Sequence, residues 1–143
     1  MFMEISDVRR GIRETIERGR RHAAERRKRH DEAALRFETF LNTVAVPLFR
    51  QIANVLKIEG YAFTVFTPGG AVRLMSDRSG DDYVEIALDA GGDVPRVVAH
   101  FSRSRGRRIV EEERTVGGGD PASITDEDLL AFMLDVLEPF VEK

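Results

Sequence analysis

Ile5, Val8, Ile12, Ile16, Gly19, Ala23, Arg27, His30, Ala34, Phe37, Leu41, Val44, Leu48, Ile52 and Val55 follow one another at steps of three or four residues. This is the period of an α-helix, in which such positions share one face. A helix from Asp7 to Ile58 would be about 75–80 Å long at about 1.5 Å per residue. A compact domain of 143 residues is only roughly 35–40 Å across. The helix must therefore protrude, fold back on itself, or be shared with a second chain.

The stripe is not uniform. Its apolar parts are residues 5–16 and 34–58, and the stretch between, Glu17–Glu32, is mostly charged. That stretch is a rod of roughly 25 Å. Ser6 or Asp7 is suited to cap the helix start, since each offers a short side-chain oxygen to the free amides. Glu14–Arg18, Glu17–Arg21, Glu25–Arg29 and Glu32–Arg36 run acid to base at i,i+4. Such pairs contribute about 0.2–0.5 kcal/mol each, so the spacing predicts an ion-pair ladder along a solvated helix. Gly11 and Gly19 weaken it by about 1 kcal/mol each relative to alanine. Pro47 removes an amide and crowds the carbonyl four residues back. A kink is expected there, with a separate helix starting at Pro47 as the alternative. Gly60 suits the left-handed residue beyond the helix end.

From Tyr61 the period becomes two. Tyr61/Phe63/Val65, Val72/Leu74, Val84/Ile86/Leu88 and Val97/Ala99/Phe101 alternate with less apolar residues, as half-buried strands do. A fifth run is Arg107–Val116. Thr67-Pro68-Gly69-Gly70 reads as a type II turn, and short glycine-bearing segments separate the other runs, so an antiparallel meander is expected. Pro95 places the start of the fourth strand at an edge or a bulge. Thr125, followed by Asp126–Asp128, reads as a capped helix start. Leu129, Leu130, Phe132, Met133, Val136 and Leu137 give that helix a broad apolar face, and Pro139 ends it or turns it.

The expected fold class is α+β: a long, Pro-kinked N-terminal helix, a four- to five-stranded antiparallel meander and a C-terminal helix. Phe37–Ile58 and Leu129–Leu137 cover one sheet face. Residues 1–33 form a protruding charged helical arm and residues 34–143 a single domain.

Charge is distributed unevenly. The net charge of −3 is made of +4 over residues 1–60, +1 over 61–110 and −8 over 111–143. A basic arm and an acidic tail attract each other, within a chain or between chains. Arginine outnumbers lysine 19 to 3, which suits bidentate anion contacts and equally reflects codon usage in a GC-rich genome. The chain has no cysteine, so thiolate catalysis, disulfides and cysteine metal sites are excluded. No run of 18 apolar residues spans a membrane, and residues 1–7 lack the basic and apolar regions of a secretion leader. A cytoplasmic location follows as the expectation.

The candidate sites are few. Ile5, Val8, Ile12 and Ile16 would stand in water unless a partner covers them. They predict self-association, as a homodimer or coiled coil, or docking of a protein partner. Arg18, Arg20, Arg21, Arg26, Arg27, Lys28 and Arg29 form a basic helix segment that could lie along phosphates, or a solvated face. Arg103, Arg105, Arg107 and Arg108 surround a hairpin tip that could grip an anion, or serve to discourage edge pairing. His22, His30 and His100 make no metal motif. His30 lies on the stripe, where a polar residue can set the register of paired helices; an exposed histidine is the plainer expectation. Glu111–Glu113 alternate across a strand and Asp126–Asp128 serve capping, so neither marks an acid–base pair. No phosphate loop or nucleophile elbow is present. No metal or cofactor is called for, and the chain reads as non-enzymatic. The alternative function is a nucleic-acid-binding accessory protein that uses the basic helix.

Overall fold

A computed structural model describes residues 3–142. The first two residues of the expected arm and the last residue of the expected domain lie outside the described residues. Helix α1 (Ile5–Phe40) passes through a π-helical turn (Leu41–Ala45) directly into α2 (Val46–Ile58). Pro47 neither breaks the helix nor starts a separate one. The Val46 amide donates to the Leu41 carbonyl, five residues back instead of four. This wide turn lies immediately before the proline and relieves the crowding that a regular turn would impose.

The wide turn moves the stripe. The buried positions are Phe37, Phe40, Leu41, Ala45, Phe49 and Ile52, with Leu56 half-buried. The expected positions Val44 and Leu48 are half-buried at the flank, and Val55 is 58% exposed. One turn holding an extra residue moves the core positions from Val44, Leu48 and Val55 to Ala45, Phe49 and Leu56, while Ile52 stays buried as expected. The helix then ends at Glu59 and Gly60, the latter with φ +95.

Strands β1 (Phe63–Phe66), β2 (Val72–Ser76), β3 (Tyr83–Asp89), β4 (Arg96–Arg105) and β5 (Arg108–Thr115) form one antiparallel meander in sequence order. The first turn sits one residue later than a type II turn at Thr67 would. Ala71 donates its amide to the Pro68 carbonyl at 2.8 Å, and Gly69 and Gly70 both have positive φ. That is a primed turn, which suits the twist of a hairpin. Gly106 and Arg107 join β4 to β5, with Arg105 opposite Arg108 and Gly106 at φ +63. Pro95 does not mark an edge strand. It is buried directly before β4, which lies between β3 and β5. Having no amide to give the ladder, it leaves the strand to begin at Arg96.

Helix α3 (Asp126–Leu137) starts as its residues predict. The Asp128 amide donates to Thr125 Oγ1 at 3.1 Å, and the Thr125 amide donates to Asp128 Oδ2 at 3.0 Å. Pro139 lies in a closing 3₁₀ turn (Glu138–Phe140). The register Leu74↔Val84, Val84↔Phe101 and Ile86↔Ala99 aligns the apolar positions of β2, β3 and β4 on one face. Phe49, Ile52, Leu129, Met133 and Val136 cover that face to make the core. Arg114 ties α3 to β5, with Nη1 3.2 Å from Asp135 Oδ2 and its guanidinium 5.2 Å from the Phe101 ring centre. The α+β architecture is therefore two layers, and among the described residues no helix covers the second sheet face.

Candidate functional site

The helix leaves the sheet domain at its N-terminal side. Arg29, Glu32, Ala33 and Arg36 line a cleft with Val94, Pro95, Arg96 and residues 118–121. His30 is half-buried beside it, with Nε2 3.2 Å from the Gly92 carbonyl. His30 is thus a contact between helix and β3–β4 loop, and not a freely exposed side chain. From Ile5 to Lys28 every residue is exposed except half-buried Ala23. Those 24 residues extend about 36 Å at 1.5 Å per residue.

Ile5, Val8, Ile12 and Ile16 are 78%, 47%, 56% and 47% exposed. On a helix with 3.6 residues per turn they fall within roughly 60° of Phe37 about the axis. The stripe therefore looks to the side on which the chain's own domain sits, beyond the end of that domain. Arg9 and Arg13 continue the i+4 row of Ile5, and Arg20 continues that of Ile12 and Ile16, so arginines flank the stripe.

The expected ladder is not closed. Among the described residues, the only arm ion pair within 4.0 Å joins Arg10 to Asp7, at 3.8 Å. Exposed pairs of this kind gain little against the entropy of holding two long side chains. The start is capped differently as well. Glu4 occupies the cap position without a side-chain bond, and its carbonyl accepts the amides of Asp7 and Val8 at 3.0 and 3.2 Å.

The two basic clusters do not converge. Arg18, Arg20, Arg21, Arg26, Arg27, Lys28 and Arg29 are all exposed on the arm, and Arg18 Nη2 donates to Thr15 Oγ1 at 3.2 Å. Arg103, Arg105, Arg107 and Arg108 lie at the opposite end of β4 from the arm junction, roughly 30 Å away at about 3.3 Å per residue.

Two surfaces were not singled out by sequence reasoning. The first is the outward side of α3, where Leu130 and Leu134 are 38% and 63% exposed. They are four residues apart, and Glu127, Ala131 and Glu138 neighbour them on the exposed side. α3 and its cap residue Glu138 hold five acids and no base. The excess of apolar residues in the α3 segment was the available signal, since one helix face cannot bury them all. The second is the open sheet face. Arg73 Nε donates to Glu85 Oε1 at 3.0 Å while its guanidinium lies 4.2 Å from the Tyr83 ring centre. His100 Nδ1 is 4.0 Å from Glu113 Oε2 on the same face. Cross-strand register brings these residues together, and register was not legible from spacing alone.

Among the described residues no group of three metal-ligating side chains gathers, and no helix is long and apolar enough to cross a membrane. Compared with protein-family models, curated proteins and solved structures, the chain matches none.

Proposed function

We propose that this is a non-enzymatic protein that self-associates through its N-terminal helix. The observation that carries this reading is the exposure of Ile5, Val8, Ile12 and Ile16 on one side of a helix that stands clear of its own core. Single exposed apolar residues are ordinary, but four in one helical row form a contiguous face of the kind that marks an interface. The uneven charge favours a second copy over an unrelated partner, because the basic arm and the acidic residues 111–143 reside in one chain. Light scattering of the full chain at high micromolar concentration tests it, beside an Ile12→Glu/Ile16→Glu variant whose changes touch no buried residue. An assembly that the variant dissolves is expected. A monodisperse monomer for the unaltered chain would sink the proposal.

The alternative, nucleic-acid binding, is supported by the exposure of the whole basic segment Arg18–Arg29 and opposed by the separation of the two clusters. Gel shifts at two salt concentrations decide it, because phosphate contacts weaken steeply with salt. No binding at low salt, or binding unchanged by charge reversal at Arg26, Arg27 and Arg29, removes it.

A further inference from the structure

The arm has two routes to a second arm, and each meets an obstacle. In a parallel pair the second helix would continue along the stripe past residue 28. That side is occupied by the chain's own β3–β4 loop, where His30 meets Gly92. In an antiparallel pair each flank of a helix faces the same flank of its partner. Arg9, Arg13 and Arg20 would then stand against their own copies, and like charges at that spacing oppose pairing.

The same chain holds a better counterpart. The outward side of α3 presents Leu130 and Leu134 with Glu127 and Glu138 beside them. Its length matches: α3 has 12 residues, and Ile5 to Ile16 spans 12, about 18 Å of helix each. An arm laid on this side would put apolar rows against each other at the centre and arginines beside carboxylates at the rim, the arrangement of a protein interface. The arm cannot reach its own α3. It leaves the domain as the start of a helix that is α-helical without interruption from Ile5 to Phe40.

We infer that the arm of one copy docks on the exposed Leu130–Leu134 side of α3 in a second copy. This rests on the self-association proposed above and specifies the receiving surface. The contact is heterologous, so two copies that exchange arms close into a dimer, while one-way exchange would build a longer array.

Because the chain has no cysteine, engineered disulfides read the contact directly. Full-length Ile12→Cys and Leu134→Cys chains are mixed under mild oxidation. Disulfide formation demands Cα atoms within about 7 Å. A crosslinked heterodimer is expected, with little linkage within either chain alone. In parallel, Leu130→Asp/Leu134→Asp, both exposed, is expected to weaken self-association about tenfold or more, as burying a carboxylate in an apolar contact requires. Reversal at Arg9 and Arg13 to Glu should weaken it too, and reversal of Glu127 and Glu138 to Arg in the same chain should restore it. Efficient linkage of Ile12→Cys to itself, or full assembly of the Leu130→Asp/Leu134→Asp chain, overturns the assignment to α3 and leaves self-association standing. A monomeric unaltered chain overturns both.

Discussion

Deleting Asn42 tests why the helix widens before Pro47. Asn42 is exposed inside the π turn, so its loss takes no side chain from the core. Without it the turn closes to regular α geometry, and Phe37, Leu41, Ala45 and Phe49 remain on the core side. Pro47 would then follow an ordinary turn and clash with the carbonyl four positions earlier, at a cost of about 3 kcal/mol relative to alanine. In a Pro47→Ala background that clash is gone, and the deletion should cost less than about 1 kcal/mol. Pro47→Ala alone should change stability by no more than about 1 kcal/mol, mainly through the freer unfolded chain. The coupling between deletion and substitution is therefore about 2–3 kcal/mol, large for a double-mutant cycle. Urea unfolding of the four proteins measures it, since 3 kcal/mol moves a midpoint by about 1–3 M at usual slopes. An equal cost for the deletion in both backgrounds would refute the account, because the wide turn would then owe nothing to the proline.

Phe49→Ala should destabilise the fold by about 3–5 kcal/mol through the cavity it leaves, whereas Val55→Ala should stay within about 0.5 kcal/mol. Thermal or urea unfolding of the pair checks the one-residue shift of the stripe, which a larger effect at Val55 would contradict. Thr125→Ala removes the side-chain acceptor for the Asp128 amide and should cost about 1 kcal/mol in the same assay.

The legible parts of this fold were those set by local chemistry. Alternation from Phe63 to Phe101 located the strands, short turns implied their order, and Thr125 with Asp128 defined a helix start. The parts that escaped depended on tertiary context. Periodicity carries the stripe through Val44, Leu48 and Val55 because it assumes one helix type throughout, and a π turn changes the count. Pro95 reads as an edge signal, yet a strand that begins one residue later accommodates it in the middle of the sheet. The i,i+4 charges suggest a ladder that solvent exposure leaves open. At the candidate site the apolar arm was readable from spacing alone. Its suggested counterpart was not, because seven large apolar residues between Leu129 and Leu137 do not reveal that Leu130 and Leu134 are the ones left outside.

The arm's own stability bears on how it binds. Its helix is anchored at Phe37, so the costly first turn is already formed, and unwinding proceeds from the free end. Little resists it there: Glu4 gives no side-chain cap, and Arg10–Asp7 is the arm's one ion pair among the described residues. Gly11 and Gly19 each cost about 1 kcal/mol relative to alanine. Docking the stripe must then hold the helix's free end against unwinding, and that cost is subtracted from affinity. A Cβ at Gly11 would meet nothing within 4 Å, and its conformation is helical. Gly11→Ala should therefore stabilise the arm by up to about 1 kcal/mol and tighten self-association by up to about fivefold. It does so without adding a contact, because Gly11 lies off the stripe. Amide exchange from residue 9 to 22 should slow in this variant and also with rising concentration of the unaltered protein, while residues 37–56 stay unchanged. If the substitution slows exchange in the arm yet leaves association untouched, the arm helix is not what the second copy binds.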